Sequence, residues 1–235
     1  MTITRETACQ NRLLQRLSVD DLDALLPHLR PIDLPVPKSL VEPGEVMDSV
    51  TFPLAGLISL VSIMRDGSII EIGTVGIDGG VGLSVLLGRK TLPYRYFSQI
   101  SGHGLRMGAE NLLQLASERP SLERVLLQSQ SSLMVQVMQS TACNGLHQVE
   151  QRCCKWLLIA QDRVNQDRLA LTHEFIGQML GVRRASVSEV LKPLRDDGLL
   201  TYTRGEVTIL NRAGLEERAC ECYRIVTDEY RWLDG

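Results

Sequence analysis

The sequence predicts an α+β chain made of an N-terminal β jelly roll, a long dimerisation helix and a C-terminal winged helix-turn-helix. Three observations predict it. From Pro31 to Met107, proline and glycine recur every few residues between short β-branched or apolar runs, a rhythm of strands and turns. From Ser121 to Cys143 the apolar residues fall at helical spacing, with almost no charge after Arg124. From Leu171 to Leu210, two short amphipathic patterns flank Gly181, and two strand patterns follow around Arg204-Gly205. The implied segments are 1-109 for a β-roll sensor domain, 110-145 for the dimerisation helix and 146-235 for the C-terminal domain.

In chain order, residues 12 to 29 read as a short helix after a Ser18 cap, with Asp20 and Asp21 in its first turn and Leu22, Leu25, Leu26 and Leu29 inward. In the β region, Leu57 to Met64 and Ile69 to Val75 are strand patterns joined by Asp66-Gly67, a hairpin signal. Tyr94 to Ile100 is a further strand, and His103, between glycines, reads as a loop or strand-end residue. Helix resumes at Glu110 and starts afresh at Pro120. An exposed helix is rich in Lys and Glu, so the uncharged stretch to Cys143 is expected to be buried on more than one side. Its cover is either a second copy along a heptad-like seam or the β domain of its own chain. Asn144-Gly145 is expected to break it as a hinge. A helix from Gln148 to Val164 turns Val149, Cys153, Trp156, Leu157 and Ile159 inward, and the loop Asn165 to Leu169 follows. After the helix pair, Leu199 to Tyr202 and Glu206 to Leu210 form a wing, and Gly214 to Leu233 ends the chain as an amphipathic helix.

The chain has 235 residues and a formal net charge of −3. It shows no apolar run of membrane-spanning length and no signal-peptide region, so a soluble, cytoplasmic protein with no membrane partner is expected. The acidic balance does not exclude nucleic acid, because the electrostatic footprint is local. Between Arg168 and Arg212 the bases slightly outnumber the acids. The six cysteines include no C-x-x-C pair and read as reduced packing residues. Cys153 and Cys154 point to different sides of a helix, and Cys220-x-Cys222 on a helix is poorly placed for shared ligation, so no metal is expected. No nucleophile–base pair appears, which argues against an enzyme and gives no catalytic residue.

The stretch Leu171 to Leu200 carries the function. Thr172 is placed to cap the first helix, Phe175, Ile176, Met179 and Leu180 make its apolar face, and Gly181 ends it. Val182, Val187, Val190, Leu191 and Leu194 are the buried stripe of the second. Arg183, Arg184, Ala185, Ser186, Ser188, Glu189 and Lys192 then point away, the build of a helix that reads the DNA major groove. Thr172, His173, Arg183, Arg184, Ser186, Ser188, Glu189, Lys192 and, at the wing tip, Arg204 are the candidate DNA contacts.

With THEFIGQMLGVRRASVSEVLKPLRDDGLL in place behind a β roll and a long helix, the chain resembles the Crp/Fnr superfamily of transcription regulators over nearly its whole length. The resemblance implies a cyclic-nucleotide-binding-like β roll and a homodimer on double-stranded DNA, its recognition helices in successive major grooves of a palindromic site. RNA polymerase is implied as a partner if the protein activates. Arg184 matches a family position that contacts bases or phosphates. Ser188 matches the Ser of the oxygen-responsive branch's E-x-x-S-R motif, whose Glu and Arg are here Ala185 and Glu189. The family's phosphate cassette aligns with Gly79 to Leu83 and lacks its ribose-binding Glu; Arg95 aligns with the phosphate-binding Arg but is followed by Tyr96. Gly79, Gly80 and Arg95 are therefore the candidate effector contacts, with cyclic AMP not expected. An oxygen-sensing iron–sulfur cluster is not expected either, since only Cys9 lies near the N-terminus. The effector is unknown. Two other readings stay open: a ligand-binding or protein-interaction adaptor that has lost DNA reading, and a regulator switched by thiol oxidation.

Overall fold

The computed structural model describes residues 3–234. The chain forms two compact units. One holds Thr74–Met134 with the chain ends up to Leu60 and from Tyr230; the other holds Val61–Gly73 and Val135–Glu229.

The first unit opens with three short helices, α1 (Arg5–Ala8), α2 (Arg12–Gln15) and α3 (Val19–Leu25). Ser18 caps α3 by accepting from the Asp21 amide at 3.1 Å, as its sequence suggests. Asn11 is wholly buried but fully used: its carbonyl oxygen accepts from the Leu14 amide, and its amide donates to Pro53 O at 2.8 Å and Gly79 O at 3.0 Å. Those bonds offset the desolvation that would otherwise make a buried amide costly. Strands β1 (Arg30–Leu34), β2 (Lys38–Val41), β3 (Ser49–Ile63), β4 (Ile69–Val75) and β5 (Arg95–Gly108) form an antiparallel sheet in the order β1-β5-β3-β4, with β2 also on β5. The strands are fewer and longer than the glycine rhythm suggests. Gly56 (φ +87°) lies inside β3, and a Cβ on Gly102 of β5 would come 2.1 Å from Ala55 O. These glycines permit close strand crossing instead of ending strands. His103 accordingly lies within β5, opposite Asp33. Phe52, Leu57, Ile58, Leu83 and Leu105 pack with Leu13, Leu25, Leu112 and Leu122 in the core, all at most 1% exposed.

Helix α4 (Ala109–Glu118) precedes α5 (Pro120–Leu146), a helix of 27 residues. The helix runs through Asn144-Gly145, so the expected break there is absent. A Cβ on Gly145 would meet nothing within 4 Å, and α-helical backbone passes through both residues without obstruction.

In the second unit, α6 (Val149–Val164) is the central helix. It is enclosed nearly all round instead of on one face: Arg152, Lys155, Gln161 and Arg163 are buried along with Cys153, Cys154, Leu157 and Leu158. Around it stand β6 (Arg168–Leu169), α7 (His173–Leu180), α8 (Arg184–Asp196), β7 (Leu200–Thr203), β8 (Glu206–Ile209), α9 (Arg212–Arg218) and α10 (Cys222–Glu229). The wing gains a third strand, β6-β8-β7, from a stretch expected to be loop. The expected single C-terminal helix is broken between Arg218 and Cys222, followed by a 3-10 turn at Arg231–Asp234. The tip of the β3–β4 hairpin belongs to this unit; it closes by Met64 N–H donating to Ser68 O at 2.8 Å, with Gly67 at φ +82°. Among the described residues, no helix is long and apolar enough to cross a membrane.

Candidate DNA-reading face

The helix pair is held by its apolar stripes. Ile176, Met179 and Leu180 of α7 and Val187, Leu191 and Leu194 of α8 are all at most 4% exposed, while Phe175, Val182 and Val190 are half-buried. Thr172 accepts from the Phe175 amide at 3.1 Å, the cap expected of it, and Gly181 takes the left-handed conformation (φ +64°) at the turn. Gly177 has a role of its own: a Cβ there would lie 2.9 Å from Val182 O, so the turn leading to α8 can sit this close only on glycine.

Two residues of α6 brace this pair: Arg152, which sequence reasoning did not single out, and Trp156, read there only as inward-facing. The buried Arg152 guanidinium of α6 donates to Leu180 O at the C-terminal end of α7, where a cation and a free carbonyl suit each other. Trp156 of α6 donates its indole N–H to Glu71 at 2.7 Å, on the hairpin tip, whose Ile70 faces Gly181. A mid-helix Arg and a Trp carry no local signal of such roles.

The candidate DNA contacts separate into two sets. Thr172, His173 and Ser188 work inside the helix pair: His173 Nδ1 is 3.1 Å from Ser188 Oγ, Ser188 also donates to Arg184 O at 3.3 Å, and His173 packs edge-on against Tyr202 of the wing. Burial, then the nearby Arg184 charge, pushes the His173 pKa below its ordinary value, which favours the neutral ring. Lys192 is ion-paired to Asp196 at 3.0 Å on the surface, an i,i+4 contact weak enough to yield to a phosphate. Arg183, Arg184, Glu189 and Arg204 are exposed, and their side chains make no hydrogen bond or ion pair among the described residues. Ser186 is half-buried and Ala185 exposed beside them. Arg204 stands at the wing turn, next to Gly205 at φ +85°. Arg195 is occupied, stacked over Tyr202 at 5.1 Å and paired with Asp196.

The candidate effector residues are not brought together. Gly79 and Gly80 line, with Ser129 and Tyr230, a void of about 10 Å³, room for one water. Arg95 does not line it; on β5 it pairs with Glu42 at 2.9 Å, a carboxylate that burial raises but that hydrogen bonding from Ser39 and then Arg95 holds below its usual range. A groove of about 710 Å³ lies elsewhere in this unit, lined by Met47, Val85, Leu86, Lys90, Asn111 and Leu113 among others.

The cysteines also separate. Cys153 and Cys154 are wholly buried, and burial pushes both thiols up, Cys154 to about 12, which keeps them protonated and unreactive. Cys143, Cys220 and Cys222 converge with His147, because the break before α10 frees Cys220 from helical geometry. The sequence signal was the i,i+4 pair Cys143 and His147, one helical turn apart.

Comparison with known proteins agrees with this geometry. Residues 151–218 match the Crp-like helix-turn-helix domain. Over 193 residues the chain is 24% identical to the global nitrogen regulator of Synechocystis sp., covering 77% of this chain and 84% of that protein. The global nitrogen regulator of Synechococcus elongatus is 23% identical, over 77% of this chain and 86% of its own length. Among solved structures, FixK2 from Bradyrhizobium japonicum superposes with a TM-score of 0.71 at 16% identity, over 82% of this chain and 98% of that one. The c-di-GMP-responsive global regulator CLP of Xanthomonas campestris gives 0.67 at 17%, over 82% and 99%. These structures share the fold. A match to the Crp-like helix-turn-helix domain over residues 151–218 thus sits on a fold that the chain shares with FixK2 and CLP.

Proposed function

We propose that the protein is a homodimeric regulator that reads a palindromic DNA site with α8. The observation that carries this is the exposed start of α8: Arg183, Arg184, Ala185 and Glu189 project from a helix whose pose is fixed by α7 and Gly177. Arg184 takes a guanine bidentately or a phosphate, Glu189 accepts from a cytosine amine, and Arg204 and Lys192 contact phosphates. Dimerisation is supported by α5, where Leu127, Ser131, Met134, Met138 and Thr141 fall at alternating four- and three-residue spacing on one face. Met134 and Met138 are 54% and 62% exposed, unusual for methionines on a lone helix. Such a dimer acts in the cytoplasm and, if it activates, touches RNA polymerase. An effector, if the β roll takes one, fits the 710 Å³ groove better than the water-sized void beside Gly79 and Gly80, since small-molecule sites run to about 300–1,000 Å³.

The test is selection from random duplex DNA with the purified full-length protein. An enriched palindrome with half-sites about one helical turn apart is expected. Uniform weak binding without an enriched site overturns the reading and favours the adaptor, whose motive is Ala185 and Glu189 where relatives carry reading residues.

A further inference from the structure

Cys143 and His147 stand one turn apart near the C-terminal end of α5, Cys220 lies in the break before α10, and Cys222 opens α10. Cys143 Sγ is 3.6 Å from Cys220 Sγ, Cys222 Sγ is 3.5 Å from His147 Nδ1, and the four donor atoms all lie within 4.8 Å of one another. The three sulfurs are buried and joined by no disulfide. We propose that these four side chains bind one zinc-class divalent ion, as a closed Cys₃His site. Tetrahedral zinc, with bonds of about 2.3 Å to sulfur and about 2.0 Å to nitrogen, sets two sulfurs about 3.8 Å apart and sulfur about 3.5 Å from nitrogen. The observed 3.6 and 3.5 Å match those edges to within a few tenths of an ångström. A polynuclear iron–sulfur cluster spreads its ligands over several irons and needs a wider donor set.

The surroundings are those of a metal site. Glu221 lies 3.2 Å from His147 Nε2 and accepts a hydrogen bond from its N–H, which leaves the Nδ1 lone pair free to face the sulfurs. Gln139 donates its amide N–H to Cys222 Sγ at 3.0 Å, a bond that suits a thiolate. Three thiolates and a dication leave one net negative charge, and the buried Lys155 ammonium acts electrostatically on Cys143 to balance it. Thiolates select zinc, or another thiophilic ion, over magnesium and calcium. With four protein ligands no position is open for substrate, so the ion is structural. It clamps the end of α5 to the corner between α9 and α10, where Cys143, Cys220 and Cys222 are the buried cluster. The inference is independent of what α8 reads.

The experiment is metal analysis of full-length protein purified without chelator, followed by cobalt titration of chelator-stripped protein. One zinc per chain is expected, and cobalt is expected to give the intense visible bands and thiolate charge-transfer absorption of a tetrahedral site, bleached by zinc. Cys143→Ser and Cys220→Ser are expected to lower the metal content at least tenfold, and Cys9→Ser to leave it unchanged. If the serine variants do not fold, the cobalt spectrum of the wild type decides. Metal-free protein with no tetrahedral cobalt spectrum overturns the proposal, as does undiminished zinc in a folded Cys220→Ser variant. Several irons with acid-labile sulfide per chain overturn the single-ion assignment.

Discussion

Adding one methyl at two helical glycines of this chain should move stability in opposite directions. At Gly145 a Cβ meets nothing within 4 Å, so Gly145→Ala gains only helix propensity, up to about 1 kcal/mol near a helix end. At Gly177 the same methyl lies 2.9 Å from Val182 O and 3.5 Å from Val187 Cγ2. The first neighbour is backbone and cannot rotate away. Overpacking of this kind costs about 1–3 kcal/mol against a propensity gain of about 1 kcal/mol, and the middle of that range leaves a net loss of about 1 kcal/mol. For a domain of about 100 residues that is a fall in Tm of roughly 4–8 °C. Calorimetry of the two variants beside the wild type measures it, and DNA affinity adds a second readout. Gly145→Ala should keep full affinity, because the helix is continuous there. Gly177→Ala should lose affinity as well, because relief of the contact shifts the turn that aims α8. A Gly177→Ala protein that melts at or above the wild type would refute the reasoning. Loss of DNA binding in Gly145→Ala would restore the hinge at Asn144-Gly145.

Other perturbations test the remaining assignments. Arg184→Ala should weaken binding to the selected operator by about 1–3 kcal/mol and relax its sequence preference, whereas Arg204→Ala should weaken all sequences alike and reduce the salt slope by about one, read by fluorescence anisotropy across a salt series. Met138→Glu, placing charge on the exposed face of α5, should give a monomer in sedimentation and lower operator affinity by about 100-fold or more through loss of the second half-site. Trp156→Phe should cost about 1.5–3 kcal/mol by removing the indole donor to the Glu71 carboxylate, measured by denaturant unfolding. The His173 pKa is lowered in the fold, so its contribution is present in full above its unfolded value near 6.5 and is lost as pH falls below it. Stability should therefore drop on acidification through pH 6, and by less in His173→Gln; equal slopes would remove the assignment.

The helix pair was readable because its information is local. Thr172, Gly181 and the apolar stripes act within a few residues of themselves, and a cap or a left-handed glycine leaves a trace at its own position. What escaped depends on residues far apart in the chain. Glycines inside β3 and β5 look like turn punctuation until the opposing strand is known to press against them. Arg152 reads as an ordinary polar helix residue until Leu180 is placed over it. Cys220 and Cys222 looked unsuitable as ligands because the C-terminal pattern implied one helix; the break after Arg218 changed both directions at once. Ser188 aligned with a reading position, yet here it is turned toward His173.

That last contact bears on how such a protein diversifies. With Ser188 held by His173, and Val187 and Leu191 committed to the core, positions 183, 184, 185 and 189 at the start of α8 are exposed and make no side-chain bond that holds the pair together. They are consecutive or one turn apart, at the N-terminal end of the helix proposed to read DNA. A duplicated copy could therefore acquire a new operator through a few substitutions at those exposed positions, without touching the buried stripe. Binding specificity and stability would then evolve on separate residues, and paralogues should differ most at those sites while keeping His173, Gly177 and Gly181.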